Sequence, residues 1–147
     1  MALRVEIPGS GSLELDHLLL DQNGTLSDRG ELIAGVGERL VTHILTADTF
    51  GTLGQLAAEL GAEGHRVGTG EDKLSFLEDL GAHRCAAIGN GRNDIAMLRG
   101  AALGIAVIGP EGASSEAVAA ADVVCQSVLD ALGLLLDERV LVATLRA

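Results

Sequence analysis

Asp21 closes the apolar run Leu18-Leu19-Leu20 and is followed at once by Gln22-Asn23-Gly24-Thr25. Three apolar residues bounded by a turn signal read as a short buried strand. That puts Asp21 at the strand's C-terminal end, the edge of an open α/β sheet where ligands bind. Asn-Gly after an apolar run is equally a hairpin signal, and these residues alone leave both readings open. Three more polar positions fall at comparable places. Thr46 follows Ile44-Leu45, Lys73 opens a helical stretch after Val67, and Gly89-Asn90-Gly91-Arg92-Asn93-Asp94 follows Ile88. Taken singly, Thr46 could cap a turn, Lys73 could be a solvated helix residue and Asp94 a helix N-cap.

Taken together they suit phosphoryl transfer through a covalent acyl phosphate. A carboxylate nucleophile facing a phosphate needs a hard divalent cation beside it, and oxygen ligands suit Mg²⁺. Asp94 can supply a second carboxylate. The Thr46 hydroxyl and the Lys73 ammonium would hold the equatorial phosphate oxygens, whose charge must be stabilised in the transition state. Gly24, Gly89 and Gly91 would let backbone amides approach the phosphate closely.

The elements that must position these groups alternate along the chain. Arg4 to Ile7 and Leu13 to Leu15 flank Pro8-Gly9-Ser10-Gly11-Ser12 as an opening β-hairpin whose second arm leads into the Leu18 strand. Helical stretches are expected over 33–41, 53–60, 72–80, 94–99, 115–120, 128–136 and 139–145, with strands at 44–45, 66–67, 86–88, 105–108 and 123–125. Such alternation predicts a three-layer α/β/α sandwich, a Rossmann-like, doubly wound and mainly parallel sheet with an N-terminal β-hairpin. The whole chain, 1–147, reads as a single domain.

Composition narrows the function classes. The formal charge of -11 argues against a nucleic-acid backbone or an anionic membrane as partner. It also requires a phosphate-handling protein to bring its own cation, which Mg²⁺ and Lys73 would provide. The N-terminal residues show no signal-peptide pattern and no apolar run is long enough to span a bilayer, so a cytoplasmic location is expected. Cys85 and Cys125 sit in predicted strands outside any Cys-x-x-Cys pair and read as buried small hydrophobes. His17, His43, His65 and His83 each fall just before a predicted strand, at the N-terminal edge of the sheet; a metal cluster there is conceivable, but no pair shows zinc-ligand spacing, and strand-entry residues are the better account. Val140, Leu141 and Leu145 share a helical face that either covers the sheet or builds an interface.

With these motifs in order, the chain resembles the haloacid dehalogenase superfamily. Asp21-Gln22-Asn23-Gly24-Thr25, Thr46, Lys73 and Gly89-Asn90-Gly91-Arg92-Asn93-Asp94 are similar to its four motifs. The likeness is greatest to the small soluble branch related to the phosphorylation domain of P-type ATPases. It extends to Leu45-Thr46-Ala47-Asp48-Thr49-Phe50-Gly51 and to Ile105-Ala106-Val107-Ile108-Gly109-Pro110-Glu111-Gly112. The resemblance implies an aspartyl phosphate on Asp21, Mg²⁺ held by Asp21, the backbone carbonyl of Asn23 and Asp94, and phosphate bound by Thr46 and Lys73, with Gly24 and Asn90 on the substrate side.

Two residues depart from the usual phosphatase pattern. Asn23 stands where those enzymes carry a second Asp as general acid and base, and an amide cannot do that work. Asn90 stands where an acid often opens the fourth motif, and offers at most a neutral oxygen to a metal. A slow phosphohydrolase is therefore expected, and a non-catalytic or regulatory phosphate-binding domain is the alternative. Neither a Gly-x-Gly-x-x-Gly after the first strand nor a Gly-x-x-x-x-Gly-Lys is present, which argues against dinucleotide binding and a phosphate-loop nucleotidase. The stretches 25–33 and 50–72 leave no room for a cap domain. The expected partner is a phosphorylated substrate, small or macromolecular, with a homo-oligomer possible.

Overall fold

The computed structural model describes residues 2–21, 30–47, 57 and 61–147, with the backbone alone for 30–33. Leu3–Ile7 (β1) and Gly11–Leu15 (β2) form the expected antiparallel hairpin, with Ile7 opposite Gly11. Its alternation follows the two-residue period of a strand: Leu3, Val5 and Ile7 are buried, while Arg4 and Glu6 face solvent. Asp16 alone separates this hairpin from His17–Asp21 (β3), which belongs to a second sheet. Arg84 pins the junction: its Nε and one terminal nitrogen donate to the two Asp16 oxygens at 2.8 and 2.9 Å, and the other terminal nitrogen pairs with Glu14.

Beyond β3 the chain runs through Gly30–Gly37 (α1), Val41–Thr46 (β4), Glu63–Arg66 (β5), Gly70–Leu80 (α2), Cys85–Gly89 (β6), Ile95–Gly100 (α3) and Leu103–Val107 (β7). It closes with Ser115–Ala120 (α4), Val123–Cys125 (β8), Val128–Leu136 (α5) and Glu138–Leu145 (α6). The second sheet has six parallel strands in the order β5-β4-β3-β6-β7-β8. Starting from β3, the chain first builds toward one edge and then crosses back to build toward the other. The strand order therefore reverses between β3 and β6, and a crevice opens there at the carboxyl ends of the strands.

Both faces of the sheet are covered, so the middles of β3, β6 and β7 are apolar on both sides, while β4 also buries Thr42 and His43. Leu18, Leu20, Ile44, Ile88 and Ile105 pack in one core with Val36 of α1, Leu132 and Leu135 of α5 and Leu141 of α6. Leu19, Leu45, Ala87 and Ala106 pack on the other face with Leu77 of α2, Met97 and Leu98 of α3 and Ala117 of α4. This is the three-layer, doubly wound architecture that the alternation of elements implies. The shortage of aromatic residues is met by Leu, Ile, Val and Ala, whose small volumes let helices lie close to the sheet.

Several boundaries differ from the sequence reading. The first helix ends at Gly37, not near Val41: Leu40 packs from a turn and Val41 already opens β4. The fifth strand is Glu63–Arg66, where 66–67 was expected, because an edge strand needs no apolar residues to form a ladder. The helix expected over 53–60 lies outside the described residues apart from the buried Ala57. Leu141 and Leu145 do cover the core, but Val140 points away and is half exposed. Both cysteines are strand residues as expected, and burial raises both thiols, Cys85 to about 11. No helix among the described residues is long and apolar enough to cross a membrane.

The histidines are more than strand-entry residues. His17 opens β3, but His43 and His65 lie inside β4 and β5, and the three side chains meet on the α2 face of the sheet. His83 stays apart in the 3-10 turn 82–84.

Candidate active site

Asp21, Lys73 and Asp94 converge at the crevice, delivered by three different elements. Asp21 is the last residue of β3, Lys73 lies in the first turn of α2, and Asp94 ends the 3-10 turn Arg92–Asp94 that precedes α3. The start of α2 is fixed by Thr69, whose hydroxyl accepts from the Asp72 amide at 3.1 Å. The next residue along, Lys73, is aimed inward and only 1% exposed, so it is not a solvated helix residue. Its Nζ donates to Asp21 Oδ1 at 2.9 Å and to Asp94 Oδ1 at 2.8 Å. Two carboxylates that share one ammonium are held within about two hydrogen-bond lengths of each other.

Asp94 is fully buried and uses its other oxygen on the loop before it, where Oδ2 accepts from the Asn90 and Gly91 amides at 3.0 Å each. Asp94 stands at the N-cap position of α3, but its side chain makes no capping bond to that helix. The carboxylate instead braces the turn after β6 and faces Lys73. Gly89 makes room for it: a Cβ there would stand 2.5 Å from Asp94 Cγ. Gly89→Ala is therefore expected to displace the carboxylate and to lower stability by about 1–3 kcal/mol, measured by urea unfolding.

Thr46 ends β4, one residue beyond Leu45, which is the register partner of Asp21. It is 8% exposed and its carbonyl accepts from the Val67 amide. Asn90 directly follows β6; its side-chain amide donates to the Gly112 carbonyl at 3.0 Å and its own carbonyl accepts from the Ser114 amide. Asn93 ties the same turn to the loop before α2 by donating to the Gly68 carbonyl at 3.1 Å. Neither loop tie is legible from residue types, since asparagine in a glycine-rich turn suits many partners. Asn23 and Gly24 lie outside the described residues. Beside Asp21 the crevice has a mainly apolar mouth walled by Ile88, Val107, Ile108, Pro110 and Val128, with Glu111 and Ser127 also on its lining.

The electrostatics follow from burial and proximity. Burial, and then the Asp94 charge, push the Asp21 carboxyl up to about 6 against the pull of Lys73. Burial works against the Lys73 ammonium, yet Asp94 and Asp21 outweigh it and raise its pKa above the ordinary value. Lys73 thus stays charged and compensates the acid pair. Lys73→Met, which leaves two buried carboxylates without a cation, is expected to cost about 3–5 kcal/mol in urea unfolding.

Asp21 and Asp94 present carboxylate oxygens from two elements, the donor type that suits a hard divalent cation, while the Lys73 ammonium takes the position between their Oδ1 atoms. The family model for haloacid dehalogenase-like hydrolases matches residues 38–134, which include Thr46, Lys73 and Asp94. The chain belongs to this family. It is also 47% identical over 78 residues to the uncharacterised protein MJ0073 of Methanocaldococcus jannaschii, a match covering 50% of this chain and 84% of that protein.

Among solved structures the fold is similar to that of 3-deoxy-D-manno-octulosonate 8-phosphate phosphatase from Moraxella catarrhalis, crystallised with magnesium, phosphate and KDO. That structure superposes with a TM-score of 0.69 at 21% identity, over 83% of this chain and 86% of that one. The catalytic domain of the CPx-ATPase CopB-B gives a TM-score of 0.60 at 23% identity, over 86% of this chain and 48% of that one. These two likenesses speak for the fold.

Proposed function

We propose that this chain is a Mg²⁺-dependent phosphohydrolase working through a phosphorylated Asp21. The reading is carried by one observation: the Lys73 ammonium sits between the Asp21 and Asp94 carboxylates at the switch point of the sheet. Asp21 and Asp94 would hold the ion, together with the Asn23 carbonyl by family likeness. When bound, Mg²⁺ supplies charge stabilisation for the phosphate oxygens.

The chain's own residues do the rest. An Asp21 oxygen attacks phosphorus, and the bond from phosphorus to the leaving oxygen breaks. That oxygen takes its proton from solvent, because the Asn23 amide is far too weak an acid to supply one. Water then attacks the phosphorus of the acyl phosphate, its bond to Asp21 breaks, and the carboxylate and inorganic phosphate are regenerated. Lys73 and the Thr46 hydroxyl neutralise and orient the equatorial oxygens. The apolar mouth beside Asp21 suits an uncharged part of the leaving group, on a small or a macromolecular phosphate ester.

The test combines Mg²⁺-dependent hydrolysis of an aryl phosphate with covalent labelling by radiolabelled acetyl phosphate. Turnover together with a hydroxylamine-labile label is the expected result. Absence of both turnover and label would overturn the proposal. Label without turnover would favour a phosphate-binding domain, the alternative that Asn23 and Asn90 motivate.

A further inference from the structure

Away from the acid pair, three imidazoles form a continuous chain across β3, β4 and β5. His17 Nδ1 lies 3.1 Å from His43 Nε2, and His43 Nδ1 lies 3.1 Å from His65 Nε2. Glu63, at the start of β5, brings Oε1 to 3.9 Å from His65 Nε2. His43, Glu63 and His65 each offer one donor atom, and all three atoms lie within 4.8 Å of one another. Parallel register explains the meeting: His43 is opposite Glu63, and Leu45, two residues on, is opposite His65.

From these contacts we infer a second metal site, formed by His43, His65 and Glu63, for an imidazole-preferring divalent transition ion of the zinc type. Tetrahedral Zn²⁺ with bonds of about 2.0–2.1 Å holds its ligand atoms roughly 3.3 Å apart, close to the spacing of the two ring nitrogens. Two imidazoles and a carboxylate leave a fourth position for water. The ligand chemistry differs from that at Asp21 and Asp94, where the donors are oxygens alone, so the two sites select different ions.

Other features suit a built site. If His43 ligates through Nδ1, its Nε2–H donates to His17 Nδ1, the kind of outer contact that fixes the orientation of a ligating ring. His17 is thus a positioning residue. Phe76 of α2 packs against both ligand rings, with centroids 5.4 Å from His43 and 4.6 Å from His65. His43 is buried, while the Glu63 side chain is 59% exposed and gives an ion a way in. Burial also holds the His43 ring neutral at ordinary pH, with its pKa at about 4. His65 stands level with Asp21 through Leu45 but two strands away, about 10 Å across the sheet, so an ion here would lie beside the acid pair without sharing its ligands. It would instead tie the edge strand β5 to β4, whose far end carries Thr46.

The experiment is calorimetric titration of the full chain with Zn²⁺ in excess Mg²⁺, which keeps the oxygen site engaged. Co²⁺ is the spectroscopic probe, its visible bands reporting tetrahedral nitrogen and oxygen ligation. One Zn²⁺ per chain is expected. His65→Ala should weaken it at least about 100-fold, and His17→Ala by about 10-fold through loss of the outer contact alone. Equal Zn²⁺ affinity in wild type and natively folded His65→Ala would overturn the site, as would no Zn²⁺ uptake by wild type. Should His65→Ala fail to fold, Glu63→Gln at an exposed position decides: an unchanged Co²⁺ spectrum refutes the assignment and an altered one supports it.

Discussion

Asp21→Asn is expected to abolish phosphate-ester turnover, with a loss on the order of 10⁶-fold, as when the nucleophile is removed from another covalent catalyst. The amide cannot form an acyl phosphate, so labelling by acetyl phosphate should vanish with the activity. The fold should survive. Lys73 keeps its bond to Asp94, which is the more deeply buried acid, and the substitution removes a carboxylate already pushed up to about 6 by burial and Asp94. Urea unfolding beside the activity assay separates chemistry from stability. A variant that keeps a sizeable part of the wild-type rate would show that Asp21 is not the nucleophile.

Asn23→Asp should act in the opposite direction, raising turnover by about 10²- to 10⁴-fold, the range that general acid-base catalysis supplies. The added carboxyl could protonate the leaving oxygen in the first step and take a proton from the attacking water in the second. The labelled intermediate should then be shorter-lived than in wild type. Steady-state rate and label lifetime are both needed, since a faster first step alone would raise the amount of label. An unchanged or slower rate would place the limit elsewhere, in product release or in the loop that Asn90 fastens to Gly112.

The chemistry was more legible than the boundaries. Asp21, Lys73 and Asp94 stand out in the sequence because each lies at or beyond the C-terminal end of a strand, and in a parallel sheet those ends share one edge. Their direct pairing was not legible, since a lysine at a helix start looks the same whether it faces water or an acid pair. Glu63–Arg66 was misplaced because Glu-Gly-His-Arg has no apolar pattern, and its pairing is dictated by the neighbouring strand. The end of the first helix is hidden in the sequence because Leu40 and Val41 continue its apolar spacing, although Gly37 ends it. The histidine chain depends on register across three strands, which spacing along one strand cannot reveal. Asn23 and Gly24 lie outside the described residues, so the part assigned to them rests on family likeness.

The outermost strands, β5 and β8, bear on how the molecule behaves in a crowded solution. Each is short, four residues in one and three in the other, and the first carries Glu63 and Arg66 on its exposed positions. Unsatisfied backbone groups at a sheet margin invite another chain to add on, and brevity and charge both discourage it. The interior strands are apolar enough to form fibrils if laid bare. These margins therefore act as a guard against self-association, and lengthening β8 or replacing Glu63 and Arg66 by valine would remove it.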